Sequence, residues 1–264
     1  MEKALISFSF DDGRADNIDA FDKILLPKKI PVTLNVTTGY IDGSCPFDKR
    51  PSDKPAMTVA DIQRYAENPY VELALHGDCH LNTEEDIENG RQKIIKWLGL
   101  PENQAFGFAS PGSRLNLQEF ILSTSKLFRE HIIYVRHSLR IEDLKKIRVL
   151  SRKAGRIWHN PIFYEIAYGN TLMDTCTDRI IYSIPVLKDT TVSQLKAIID
   201  KSIEKQMAVT FMFHSIKNDT SLEDNWSWST EKLISFCDYI LPLVESGELQ
   251  CVTTRELHNA LIKN

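Results

Sequence analysis

Apolar residues along this chain gather into short runs separated by longer, mostly polar stretches. Ala4 to Phe10, Pro31 to Val36, Val71 to Leu75, Phe106 to Ala109, Ile132 to Val135, Arg179 to Ile184, Ala208 to Phe213 and Leu249 to Val252 are rich in β-branched and aromatic residues and have strand length. Helical signals fall between them. Thr58-Val59-Ala60-Asp61 reads as an N-cap with an acidic first turn and opens a helix to Glu67. Asn82 to Asp86 opens another, whose apolar positions Ile87, Ile94, Ile95 and Leu98 keep the helical period until Gly99 stops it. Asn17 to Leu26, Val192 to Gln206, Thr230 to Ser246 and the segment starting at Thr254 also read as helices. Thr37 to Ala56, punctuated by Gly39, Gly43, Pro46, Pro51 and Pro55, reads as a long loop. Leu139 to Thr177 has no clean period and predicts no element.

Strand–helix alternation over the whole length predicts an α/β fold, a distorted barrel of about seven parallel strands. A length of 264 residues suits one such barrel, and no repeat or low-complexity linker divides it, so residues 1–264 read as a single domain. A net charge of −4 gives no electrostatic basis for nucleic-acid binding. Five scattered cysteines without a C-x-x-C pair suggest reduced thiols. No apolar window has the length of a membrane span, and Met1-Glu2-Lys3 runs directly into the first strand without a secretory leader, so a cytoplasmic protein is expected. No pattern sets an oligomeric state.

Candidate chemistry sits where strands end. Ser9-Phe10-Asp11-Asp12-Gly13 closes the first run, and at a strand end both carboxylates can approach one cavity, although an Asp-Gly pair is by itself a turn signal. His76-Gly77-Asp78-Cys79-His80 closes the third. Two imidazoles four residues apart, joined by one carboxylate, suit zinc and also other divalent ions. His214 ends a later strand, whereas His131, His137, His159 and His258 have no partner at metal-binding spacing. Trp226 and Trp228, in a polar loop with Glu223-Asp224-Asn225, suit either a sugar-stacking platform or a loop anchor. The basic run from Lys145 to Lys153 reads as a solvated face or a site for a phosphorylated sugar carrier.

Taken in order, these residues resemble the polysaccharide deacetylases of the NodB homology type, carbohydrate esterase family four. The family's T-F-D-D-G motif is matched by Ser9 to Gly13, and its H-[ST]-x-x-H motif by His76 to His80. Val32 to Gly39 resembles the family's second strand, Met57 to His80 the helix and strand leading to its histidines, and Met212-Phe213-His214 its late L-x-H motif. The resemblance implies a NodB-like barrel in which Asp12, His76 and His80 hold a divalent metal, zinc first, with cobalt, nickel or iron(II) as alternatives. It further implies that Asp11 is the general base and His214 the general acid.

The family's third motif, R-x-P-[YF]-G, aligns with Ala109-Ser110-Pro111-Gly112-Ser113, so its arginine and its aromatic are missing. Losing that cation is expected to raise the Asp11 pKa unless Arg14, Arg114 or Arg136 substitutes. Pro111, Gly112, Ser113 and Trp226 become the substrate-binding candidates. Asp189 is the candidate support for His214, with Asp174 and Asp178 as alternatives. The implied function is removal of N-acetyl groups from an amino sugar of a glycan or glycan precursor, with an N-acetylated saccharide as the partner molecule. The competing readings are a non-catalytic sugar-binding descendant and hydrolysis of a carbon–nitrogen bond in a non-sugar amide.

Overall fold

Seven of the apolar runs lie side by side, all parallel. In the computed structural model, residues 3–47, 55–138, 146–218 and 225–262 are described; Lys145, Glu223, Asp224 and residues 48–54 of the long loop lie outside them. The strands are β1 (Ala4–Phe10), β2 (Val32–Val36), β3 (Val71–Leu75), β4 (Phe106–Ala109), β5 (Ile132–Ser138), β6 (Ile180–Pro185) and β7 (Ala208–Phe213). They neighbour one another in sequence order, and β7 returns to β1 with Leu5 opposite Ala208 and Phe10 opposite Phe213, which closes the barrel. β8 (Ser215–Lys217) and β9 (Ser227–Ser229) form a separate parallel pair. β10 (Leu249–Val252) runs along the first half of β1, and β2 takes the second half.

Alternation of side chains decides what fills the barrel. On β1, Phe8 and Phe10 turn outward, where Phe8 meets Phe213 and Phe236. Ser7 and Ser9 turn inward: Ser7 Oγ lies 2.8 Å from Thr210 Oγ1, and Asn35 Nδ2 donates to Ser9 Oγ at 2.8 Å. The apolar core is therefore the layer between barrel and helices, and the lumen is polar. At its amino end, buried Glu72 accepts from Thr33 Oγ1, Tyr134 Oη and the Arg255 backbone N–H. Burial raises its pKa despite the neighbouring Arg255 guanidinium.

The helices are α1 (Asn17–Ala20), α2 (Thr38–Asp42), α3 (Val59–Ala66), α4 (Glu84–Leu98), α5 (Leu117–Leu122), α6 (Lys146–Trp158), α7 (Pro161–Tyr168), α8 (Val192–Lys205), α9 (Thr230–Glu245) and α10 (Thr254–Leu261). Thr58 and Asp61 form the capping box of α3, and Thr83 caps α4, which ends at Gly99 with φ 61°. The segment that predicted nothing contains α6 and α7. The largest apolar side chains of α6 face solvent, so no core-facing period marks it, whereas the short α7 buries Tyr164, Ala167 and Tyr168. Among the described residues no helix is long and apolar enough to cross a membrane.

Tyr134 lies inside the barrel, and a Cβ on Gly107 of the neighbouring strand would fall 2.1 Å from its Cζ. Gly107→Ala is expected to destabilise the fold by about 1–3 kcal/mol through overpacking, seen as a lower urea midpoint with an unchanged slope.

Candidate active site

The carboxyl ends of the strands bring the predicted residues together. The Asp11 backbone N–H donates to the Phe213 carbonyl at 2.9 Å, extending the ladder one residue past β1 and turning the Asp11 side chain into the lumen. Asp12 then leaves the sheet with φ 73°, followed by Gly13 at φ 69°. This reversal lets adjacent carboxylates, which a strand would send to opposite faces, share one mouth. A left-handed backbone on a non-glycine residue costs about 1–3 kcal/mol, and such strain collects at functional sites.

The histidine loop is held from α4. The Asp86 carboxylate accepts from the backbone N–H groups of Asp78, Cys79 and Leu81, at 3.0, 2.7 and 2.9 Å. Gly77 is required beneath it, because φ is 79° and a Cβ would lie 2.3 Å from Asp86 Oδ2. His80, at φ 62°, turns back over His76, with ring centroids 4.8 Å apart. The structure also joins Cys45 to Cys79 in a disulfide, Cα–Cα 5.4 Å, which corrects the expectation that all thiols are reduced. Its cause is tertiary: Gly39 N–H donates to the Asp78 carbonyl and Cys45 N–H to the Gly39 carbonyl, folding one loop onto the other across 34 residues of sequence.

Asp12, His76 and His80 converge as a donor set. His76 Nε2 and His80 Nε2 lie 3.5 and 3.7 Å from Asp12 Oδ1. A tetrahedral ion with bonds of about 2.1 Å separates its ligand atoms by roughly 3.4 Å, so the three donors fit one cation. His76 Nδ1 lies 2.7 Å from the Ala109 carbonyl, an arrangement that puts the proton on Nδ1 and leaves the Nε2 lone pair facing Asp12. Arg14 Nε occupies only the far oxygen, Asp12 Oδ2, at 2.8 Å. Burial works against an ionised Asp12, but Arg14 and the three surrounding imidazoles override it and hold its pKa far below the ordinary range. Burial pushes His80 down to about 4, with His76 adding to the effect, so its nitrogen is an unprotonated donor near neutrality.

Asp11 receives the missing cation from another strand. Arg136 Nη2 lies 2.8 and 2.7 Å from the two Asp11 oxygens, and its side chain is 1% exposed. Arg136 on β5 stands opposite Ala109 on β4, the position where the third motif would carry its arginine, so the guanidinium enters the same space from the adjoining strand. Ser183 accepts from Arg136 Nη1 at 3.1 Å, and Asn35 Nδ2 donates to Asp11 Oδ1 at 2.8 Å. Burial tends to raise the Asp11 pKa, yet Arg136, with smaller help from His76 and His214, leaves it below its usual value. Arg136 is therefore the substitute that the sequence left open, and the rise expected without one does not occur. Of the three arginines considered, Arg14 pairs with Asp12 and Arg114 lies beside Gly112.

His214 follows β7 directly beside Asp11. Its ring centroid is 4.5 Å from that of Trp226, and burial lowers its pKa. Asp189 does not support it: that carboxylate pairs with Arg156, and among the described residues His214 Nδ1 has no hydrogen-bond partner, so this expectation is corrected too. Distance along the chain does not set distance in the fold: the loop after β6 carries Asp189 outward to α6. Pro111, Gly112 and Ser113 form the turn after β4, tied to the histidine loop by Asn82 Nδ2 donating to the Pro111 carbonyl and to β5 by Ser138 N–H donating to Ser113 Oγ. Trp228 is the loop anchor, buried with Nε1 donating to the Thr190 carbonyl, while Trp226 is 42% exposed. Sequence reasoning missed Asn35, and its one signal was an amide alternating with Thr33 between the apolar residues of β2.

No family model matches this chain, and no curated protein does. Among solved structures it is similar to a family 4 acetyl xylan esterase from Clostridium thermocellum in complex with a cobalt ion, at 15% identity, over 97% of this chain and 90% of that one, with a TM-score of 0.42. A polysaccharide deacetylase from Bacillus cereus matches at 16% identity over 49% of this chain and 39% of its own, with a TM-score of 0.38. A deacetylase domain from Bordetella bronchiseptica matches at 16% identity over 50% of this chain and 62% of its own, with a TM-score of 0.37. The chain thus spans less than two thirds of the length of the last two.

A histidine whose pKa falls on folding takes up protons more readily when unfolded, so it weakens the fold as pH drops below its unfolded value of 6.5. In the presence of a chelator, the urea midpoint is expected to decrease as pH is lowered from 6.5 toward 4, and His80→Gln to flatten that decrease.

Proposed function

We propose that this chain is a metal-dependent amidase that removes N-acetyl groups from an amino sugar of a glycan or glycan precursor. One observation carries the reading: the two adjacent carboxylates have separate cations, Arg14 on the far oxygen of Asp12 and Arg136 on Asp11. Asp12 is thereby left with Oδ1 toward His76 and His80, and Asp11 with an ionised carboxylate 4.0 Å from His76 Nε2. A divalent ion held by Asp12, His76 and His80 would polarise an amide carbonyl and acidify a coordinated water.

The remaining work belongs to the protein. Asp11 is ionised at neutral pH and accepts the proton released as water attacks the amide carbon. Arg136, locked by Ser183, keeps that carboxylate aimed and charged. His214 stands next to it at the end of β7 and, left unprotonated by burial, takes over the proton that Asp11 has accepted and gives it to the departing amine. Trp226 packs beside His214 and offers a half-exposed indole face for the apolar side of a sugar ring. The turn at Pro111–Ser113 forms the adjoining wall. Arg136 also supports catalysis over sugar binding alone, since it restores to Asp11 the cation that the third motif lacks.

The zinc-loaded protein is expected to release acetate from N-acetylglucosamine oligomers, and Asp11→Asn to lower that rate by about 10²–10⁴-fold. Equal release by the two proteins would overturn the assignment. Arg136→Gln removes the cation that depresses the Asp11 pKa, so the acid limb of kcat/KM is expected to move to higher pH.

A further inference from the structure

Among the described residues, the segment between β5 and β6 carries half of the large apolar side chains that stand exposed. On α6, Leu150 is 63%, Ile157 70% and Trp158 66% exposed, and Ile147 is equally open. The contact of α6 with α7 uses small residues instead. Ser151 and Gly155 are the buried positions of α6, and a Cβ on Gly155 would already meet Phe163. The bulky residues of this helix therefore contribute nothing to the core.

Their arrangement is regular. At 3.6 residues per turn, Ile157, Leu150, Ala154 and Ile147 fall within roughly 80° of arc, and Trp158 borders them. The adjoining arc holds Lys146, Lys153, Arg156, Arg152 and Arg148, and α6 contains no acidic residue at all. In a chain of net charge −4 this basic stripe is a local feature. On α7, Ile162 and Ile166 add further exposed apolar area.

We propose that α6, with the exposed side chains of α7, is a docking surface for an anionic phospholipid bilayer. A helix whose apolar stripe is flanked by a Lys/Arg-rich stripe on one side and a Trp on the other lies in the plane of a membrane interface, its aliphatic side chains among the acyl chains and its cations among the phosphates. Charge complementarity selects the occupant, because a surface that is apolar and strongly cationic calls for a partner that is apolar and anionic together. The placement is also productive. Arg156 pairs with Asp189 in the loop after β6, and Gln194 Nε2 donates to the Gly155 carbonyl at 2.9 Å, which fixes α6 on the rim of the barrel that carries Asp11 and His214. Docking stands independently of the chemistry at Asp11.

The test is co-sedimentation of the whole protein with vesicles of phosphatidylcholine alone and of phosphatidylcholine mixed with phosphatidylglycerol. Binding is expected to the mixed vesicles only and to weaken with added salt, and Leu150→Glu/Ile157→Glu to lower the partition coefficient by about tenfold or more. Circular dichroism of that variant should match the wild type. If it does not, Lys146→Gln/Lys153→Gln carries the same comparison without touching the apolar stripe. Binding to both vesicle types alike, binding to neither, or wild-type partitioning of a folded variant would overturn the proposal. So would a wild-type dimer in sedimentation equilibrium that the same double substitution dissolves, since the face would then belong to a second copy.

Discussion

Two carboxylates cannot remain ionised in one buried mouth unless each has its own countercharge, and the rest of this site follows from how that condition is met. Asp11 and Asp12 are adjacent in sequence and both buried, and each holds an arginine that is itself buried. Removing one partner of such a pair leaves an uncompensated charge and costs about 3–5 kcal/mol. Direction matters as much as energy. Arg14 contacts the outer oxygen of Asp12 and leaves the inner one to the histidines, while Arg136 holds Asp11 from within the lumen. Two chemically identical groups thereby acquire different tasks.

The polar lumen is the other half of the same solution. A guanidinium as buried as Arg136 requires hydroxyls around it, and the inward-facing positions supply them from Ser138 and Ser183. Ser7, Ser9, Thr33, Asn35 and Thr210 extend this lining toward Glu72 at the other end. Hydrophobic stabilisation comes from the outer layer, where Phe8, Phe10, Phe211 and Phe213 meet the helices. The barrel can carry buried charges because its apolar packing is placed outside it.

Much of this was legible in the chain. β3, β4, β7 and β10 occupy the predicted runs, and the caps at Thr58 and Thr83 are where the polar signals fall. The metal donors were legible for a local reason: Asp12, His76 and His80 lie just after strands, and residues at the carboxyl ends of parallel strands must share one rim. Asp189 is not the support of His214 because separation in sequence does not set separation in space, and the loop that carries it bends outward to Arg156. Helix α6 gave no signal because its bulky apolar side chains are exposed, and a period reports a core-facing helix only when the apolar face is the buried one.

The sequence by itself determined the alternation of strands and helices, the ends at which chemistry collects, and the residue types available there, since these depend on local propensity and spacing. Tertiary structure decided the partners. Arg136 reaches Asp11 across 125 positions of sequence because β5 lies beside β4 in register, with Arg136 opposite Ala109. Cys45 reaches Cys79 because two loops are bonded together at Gly39 and Asp78. An ion pair or a disulfide needs only proximity of its end groups, and proximity between distant segments is set by strand register and loop direction, which no local pattern encodes.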